Sequence, residues 1–198
     1  MTDMKKKILG VIMLSLVLST IAVGCGANSD RNSDEVTTEA ADTEGMVHLE
    51  SADEVSAFFD EVYKAVGEDN LPSSLTTEEI DVSDADMVSY QAGISSTGQI
   101  AGISISEPMM SSIAYSAIYV RTLDGADTSA IAKEMMDNIN PAKWICVEAQ
   151  KQLVASIGSD IFYIMGDSDI VKNVTDEVSN YAKTNHMQFT ILDEKTNS

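Results

Sequence analysis

Positive charge is scarce in this chain. Twelve Lys and Arg stand against thirty-two Asp and Glu, a net charge of -20 at pH 7. That balance excludes nucleic acid as a partner, because phosphates need Lys and Arg to neutralise them. It also excludes a surface that lies flat on anionic lipid. It favours solubility and a loose attraction for cations. Cysteine is nearly absent: Cys25 and Cys146 are the two present, too few for a disulfide framework. The two histidines, His48 and His186, have no partner at the HxxxH or CxxC spacings that mark metal sites, and both read as surface residues. No G-x-S-x-G elbow occurs, and no glycine loop followed by Lys, so the common nucleophile and phosphate signatures are missing. No cofactor is expected. Acids do cluster, at Asp81/Asp84/Asp86, Asp124/Asp127 and Asp167/Asp169. After Asp167-Ser168-Asp169, however, Ile170, Val171 and Lys172 break the alternating oxygen ligands of a calcium loop. Helix capping explains Asp124, Asp127, Asp167 and Asp169 more simply.

What is present begins at the N-terminus. Lys5-Lys6-Lys7 precede the uncharged run Ile8 to Val23, the layout of a secretory signal peptide. The run has about 16 residues, short of the roughly 20 that a spanning helix needs. It ends in Ala22-Val23-Gly24-Cys25, which resembles the lipobox of bacterial lipoproteins. Ala22 stands where that motif usually has Leu; Gly24 directly before Cys25 fits. The resemblance implies cleavage before Cys25 and a diacylglyceryl group on its sulfur. Two acyl chains anchor a protein stably where one does not. The expected location is therefore the extracellular face of the cell membrane, held by a lipid anchor at Cys25. The leader carries +2, from three lysines against Asp3, so the mature chain would carry -22.

Residues 25–48 then form the lipidated cysteine and an acidic tether. From Gly26 to Val47 there is no aromatic residue, and Asn, Ser, Asp, Thr and Glu dominate. Such a segment buries too little apolar surface to offset the entropy of ordering. Roughly 22 flexible residues span about 25 Å, enough to lift a domain off a membrane.

A single α+β domain is expected over residues 49–193. Ser51-Ala52-Asp53-Glu54 is a capping box before a helix whose buried stripe is Val55, Phe58, Phe59, Val62, Tyr63 and Val66, closed by Gly67. Thr76 to Glu79 reads as the cap of a short helical turn. Asp86 to Ile94 reads as a strand, and Ser95 to Ser112 as a long loop or a loop holding a weak strand at Ile100 to Ile105. Long loops in compact domains are often functional, so this segment is the first place to look for a binding site. Ala114 to Leu123 reads as a strand, followed by a helix capped at Asp127 or Thr128 and stopped by Asn140-Pro141. Lys151 to Met165 reads as a hairpin turning at Gly158-Ser159. A last helix carries Ile170, Val171, Val174, Val178 and Tyr181 on one face. Met187 to Leu192 alternates enough for an edge strand, and the residues after it should fray. Cys146, within Trp144-Ile145-Cys146-Val147, reads as a buried, inert thiol. Strand, strand, helix thus occurs twice. The economical architecture is an antiparallel sheet of about four strands built from two ββα units, with helices packed on one face and the N-terminal helix beside them.

The run from Ala114 to Ala182, about a third of the chain, resembles a family of uncharacterised lipoproteins of Gram-positive bacteria with a C-terminal domain of unknown function. The strand AYSAIYVRTLDGAD before a helix, Asn140-Pro141 after it, and KQLVASIGSDIFYIMGDSDIVKNVTDEV carry the likeness. It implies a surface lipoprotein of α+β type and carries over no catalytic or binding residues. Two functional readings follow. The first is a non-catalytic binding or assembly module at the cell envelope, with an envelope protein or ligand as partner. The alternative is an envelope hydrolase using paired carboxylates, which requires a cleft with two acids about 5–10 Å apart and one of raised pKa.

Overall fold

The computed structural model describes residues 47–110 and 112–197. The leader, Cys25 and most of the expected tether lie outside them. Six strands form one sheet: β1 (Leu75–Ile80), β2 (Ile100–Pro108), β3 (Ser116–Thr122), β4 (Lys151–Ile157), β5 (Asp160–Gly166) and β6 (Phe189–Thr196). Their spatial order is β1-β2-β3-β5-β4-β6, and every neighbouring pair is antiparallel. Among the described residues four α-helices pack on the sheet: α1 (Ala52–Val66), α2 (Ala85–Ala92), α3 (Thr128–Asn138) and α4 (Ser168–Thr184).

The α+β class and the antiparallel sheet are as expected, but the sheet has six strands, not four, and helices cover both faces. Strand alternation explains why. Tyr115, Ala117, Tyr119, Leu153, Ala155, Phe162 and Ile164 point to one side, where α1 and α4 bury Val55, Phe58, Phe59, Val62, Val171, Val174 and Val178. Ile103, Ile105, Ile118, Val120, Val154, Ile161 and Tyr163 point to the other, where α2 and α3 bury Val88, Ala92, Ile131, Met135 and Met136. Central strands apolar on both sides need a layer on each. β5 is buried along its whole length. The units β2-β3-α3 and β4-β5-α4 do follow one another in the chain, but α3 and α4 go to opposite faces.

Three segments differ from expectation for local reasons. Asp86 to Ile94 holds no strand: Asp86 to Ala92 belong to α2, Gly93 caps it and Ile94 follows. The Asp84 carboxylate accepts from the Met87 N–H, Val88 and Ala92 are the buried pair one turn apart, and Gly93 closes the helix at φ 68°. Thr76 to Glu79 caps no helix; it is edge strand β1, paired residue for residue with Pro108 back to Ile103. Ile100 to Pro108 is a full strand, with Ile103 and Ile105 on one face and Ser104 and Ser106 on the other. At the C-terminus β6 continues past residue 193 to Thr196, and the Asn197 side chain donates to the Ala149 carbonyl. The expected fraying there does not occur. Trp144 to Glu148 is an irregular loop.

Ser51, Asp127 and Asp167 cap as expected, accepting from the N–H groups of Glu54, Ala130 and Asp169; Asp169 lies in the first turn of α4, where the dipole favours it, and among the described residues Asp124 caps no helix. Glu54 accepts in return from the Glu50 N–H, at 2.6 Å, one residue earlier than a standard capping box. α1 and α4 meet through Phe58 and Tyr181, edge to face at 4.9 Å.

Candidate functional site

The registers give the sheet two distinct ends, about 20 Å apart at the usual rise per residue. At the near end lie Ile80, Thr122, Ile157, Asp160 and Phe189; at the far end lie Leu75, Pro108, Ser116, Lys151 and Gly166. The described chain enters at the near end. Val47 packs so closely on the β4–β5 turn that a Cβ at Gly158 would stand 1.8 Å from the Val47 carbonyl oxygen, and Gly158 itself has φ 59°.

The near end is closed around Asp160. Its carboxylate accepts from the Thr122 N–H at 2.9 Å, the Tyr119 hydroxyl at 3.0 Å and the Leu49 N–H at 3.3 Å. Burial pushes its pKa above the usual carboxylate range, and those three hydrogen bonds oppose the shift without cancelling it. Burial also raises the Tyr119 hydroxyl, helped by the adjacent carboxylate. This buried acid lines neither of the clefts described below. It ties the entering chain to β3 and β5 and is a structural anchor.

The far end is open on both sides of the sheet. On the α1 side a cleft of about 840 Å³ lies between the end of α1 and the start of β1, with Tyr63, Leu71, Pro72 and Leu75 among its lining. Asp60, Glu68 and Asp69 stand exposed on its rim with Lys64. The Tyr63 hydroxyl in its lining is occupied: the Tyr115 hydroxyl donates to it at 3.0 Å. Burial raises both phenols far above their ordinary range, so they stay neutral.

On the α2 side polar groups converge. Lys143, from the loop after α3, has a side chain only 3% exposed. Its Nζ lies 2.6 Å from Glu107 Oε1 on β2 and donates to Gln91 Oε1 on α2 at 2.8 Å. Trp144 lies beside it, with its ring centroid 5.5 Å from Nζ. These residues, with Tyr90 and Ile145, surround a hollow of about 270 Å³. A second hollow of about 190 Å³ adjoins it at Gln91 and Glu107 and runs from the far end along the β1–β2 edge over Thr76, Glu78 and Ile105 as far as Ile80. Together they make a groove between α2, the β1–β2 edge and the 141–147 loop. Tyr90 and Ile145, 60% and 77% exposed, stand at its mouth.

The segment singled out from the sequence, Ser95 to Ser112, supplies Ile105, Glu107 and Pro108 to this groove, as a strand instead of a loop. Lys143, Gln91, Tyr90 and Trp144 carried no signal of their own, because tertiary packing alone joins three separate segments. Cys146 is exposed, not buried, and takes φ 65°. The loop turns Trp144 inward and leaves Ile145 and Cys146 outside. His48 and His186 are both exposed. Among the described residues no group of three or more His, Cys, Asp or Glu is placed to hold a metal ion, and no helix is long and apolar enough to cross a membrane. Cys25, the expected lipidation site, lies outside the described residues. Comparison with models of known protein families, with curated proteins and with solved structures found no match to this chain.

Proposed function

We propose that this protein is a lipid-anchored binding module of the cell envelope, tethered at its near end and binding at its far end. The lipobox-like Ala22-Val23-Gly24-Cys25 supports the anchor, and the acidic stretch after it supports the tether. The single observation that carries the binding role is the far-end groove. A buried lysine needs its charge and its N–H groups matched, which Glu107 and Gln91 do here, and exposed Tyr90 and Ile145 beside them add apolar surface that a ligand would cover. Against a hydrolase, the acid of raised proton affinity is Asp160, sealed at the opposite end, and the acids of the α1 cleft stand on its exposed rim. Crosslinking in intact cells followed by mass spectrometry tests the proposal. It should recover a reproducible partner through the groove, and a clean monomer in every condition would refute it. Radioactive fatty acid should label the protein, and Cys25→Ser should abolish the label; undiminished labelling of that variant would remove the anchor.

A further inference from the structure

Resting on that binding role, we infer that the groove takes pyranose rings of a glycan. The hydrogen-bonding capacity left open in it has mixed sign. Glu107 Oε1 is buried and pairs with Lys143 Nζ at 2.6 Å, while the other oxygen of the same carboxylate accepts from no described residue. Lys143 can donate three times, and its two described partners are Glu107 at 2.6 Å and Gln91 at 2.8 Å, so one N–H is to spare. The Gln91 side chain accepts from Lys143 through its oxygen, and its amide N–H groups bond to no described residue. Acceptor and donors therefore sit side by side in a pocket where Glu107 already balances the lysine charge. An inorganic or carboxylate anion would meet the Glu107 carboxylate. A metal cation would meet Lys143. A hydroxyl donates and accepts at once, and adjacent hydroxyls on a ring satisfy such a set without adding charge.

The apolar part of the site matches the same ligand. Tyr90 is 60% exposed on α2 and Trp144 is half-buried in the facing loop. An aromatic face takes up the C–H face of a sugar ring by burial of apolar surface, while the ring edge keeps its hydroxyls free for the polar groups. The neighbouring hollow over Thr76 and Glu78 shares Gln91 and Glu107 and offers room for a second ring. A linear glycan of two or more units fits this layout better than a free monosaccharide.

Trp144 is the chain's single tryptophan, so fluorescence of the full chain reports on the groove directly. The titrants are tetraoses of β-1,4-linked N-acetylglucosamine and of β-1,4-linked glucose. A saturable change in Trp144 emission with either, weakened by about tenfold or more in Tyr90→Ala, is the expected result. Tyr90 is exposed, so that variant keeps the fold. A photoreactive residue at position 145, used in cells, separates the two levels of the argument. If neither tetraose binds but Tyr90→Ala removes adducts formed from position 145, the glycan assignment is overturned and the groove remains a binding site. If no tetraose binds and position 145 gives no adducts, the glycan assignment and the binding role fall together.

Discussion

The two ends of the sheet each hold a carboxylate, buried at one end and half-buried at the other, and they treat it differently. At the near end Asp160 has three donors aimed at two oxygens, two of them backbone N–H groups that cannot turn away. At the far end Glu107 pairs with one flexible lysine at 2.6 Å through one oxygen, and its side chain is 26% exposed. A fully satisfied buried group holds a fold together; one with capacity to spare is available to something else.

The sharpest way to break this contrast is at Asp160. Asp160→Ala leaves the Leu49 and Thr122 N–H groups and the Tyr119 hydroxyl without an acceptor, and each such buried group costs about 1–3 kcal/mol. A loss of roughly 3–5 kcal/mol in urea unfolding is expected; a loss under about 1 kcal/mol would mean that water reaches the near end. Gly158→Ala should follow. A Cβ there meets the Val47 carbonyl, and φ 59° is itself strained for alanine, so about 2–3 kcal/mol is expected from the same measurement. Lys143→Met should cost less, about 1–3 kcal/mol, because the partly exposed Glu107 can turn to water once its partner is gone.

A pH series sharpens the comparison further. Asp160 binds its proton more tightly folded than unfolded, so its contribution to stability is full below the unfolded pKa and is lost as pH rises through the folded one. The stability gap between the wild type and Asp160→Asn should therefore widen as the pH falls from 7 toward 4. A gap that is flat or narrows on acidification would contradict the burial of this acid. The smallest effect belongs to Tyr90→Ala, which should leave stability within about 0.5 kcal/mol, since the ring stands mostly in solvent.

Legibility in the sequence followed the strength of local signals. α1 and α4, with stripes such as Val55-Phe58-Phe59-Val62 and their side-chain caps, were readable because period and cap agree. The β4–β5 hairpin was readable from Gly158-Ser159 between apolar runs. α2 was not, because Met87, Val88 and Tyr90 mimic alternation over a span too short to show a helical period; Asp84 and Gly93 were the overlooked markers. β1 was not, because an edge strand needs only Leu75 and Ile80 half-buried and is held by pairing to β2. The placement of helices on both faces was implicit in β5, whose consecutive Ile161 to Met165 leave neither side polar. The groove was the least legible part. Gln91, Glu107 and Lys143 lie far apart in the chain and meet only through the packing of α2 and the 141–147 loop on the sheet.

Photocrosslinking in intact cells from two exposed positions at opposite ends tests the polarity of the molecule most directly. Ile145 stands at the far-end groove and Leu123 just beyond β3 at the near end, 77% and 48% exposed. Discrete adducts from position 145, with none from position 123, are expected. Adducts from 123 alone, or equally from both, would contradict a module that is held at one end and binds at the other.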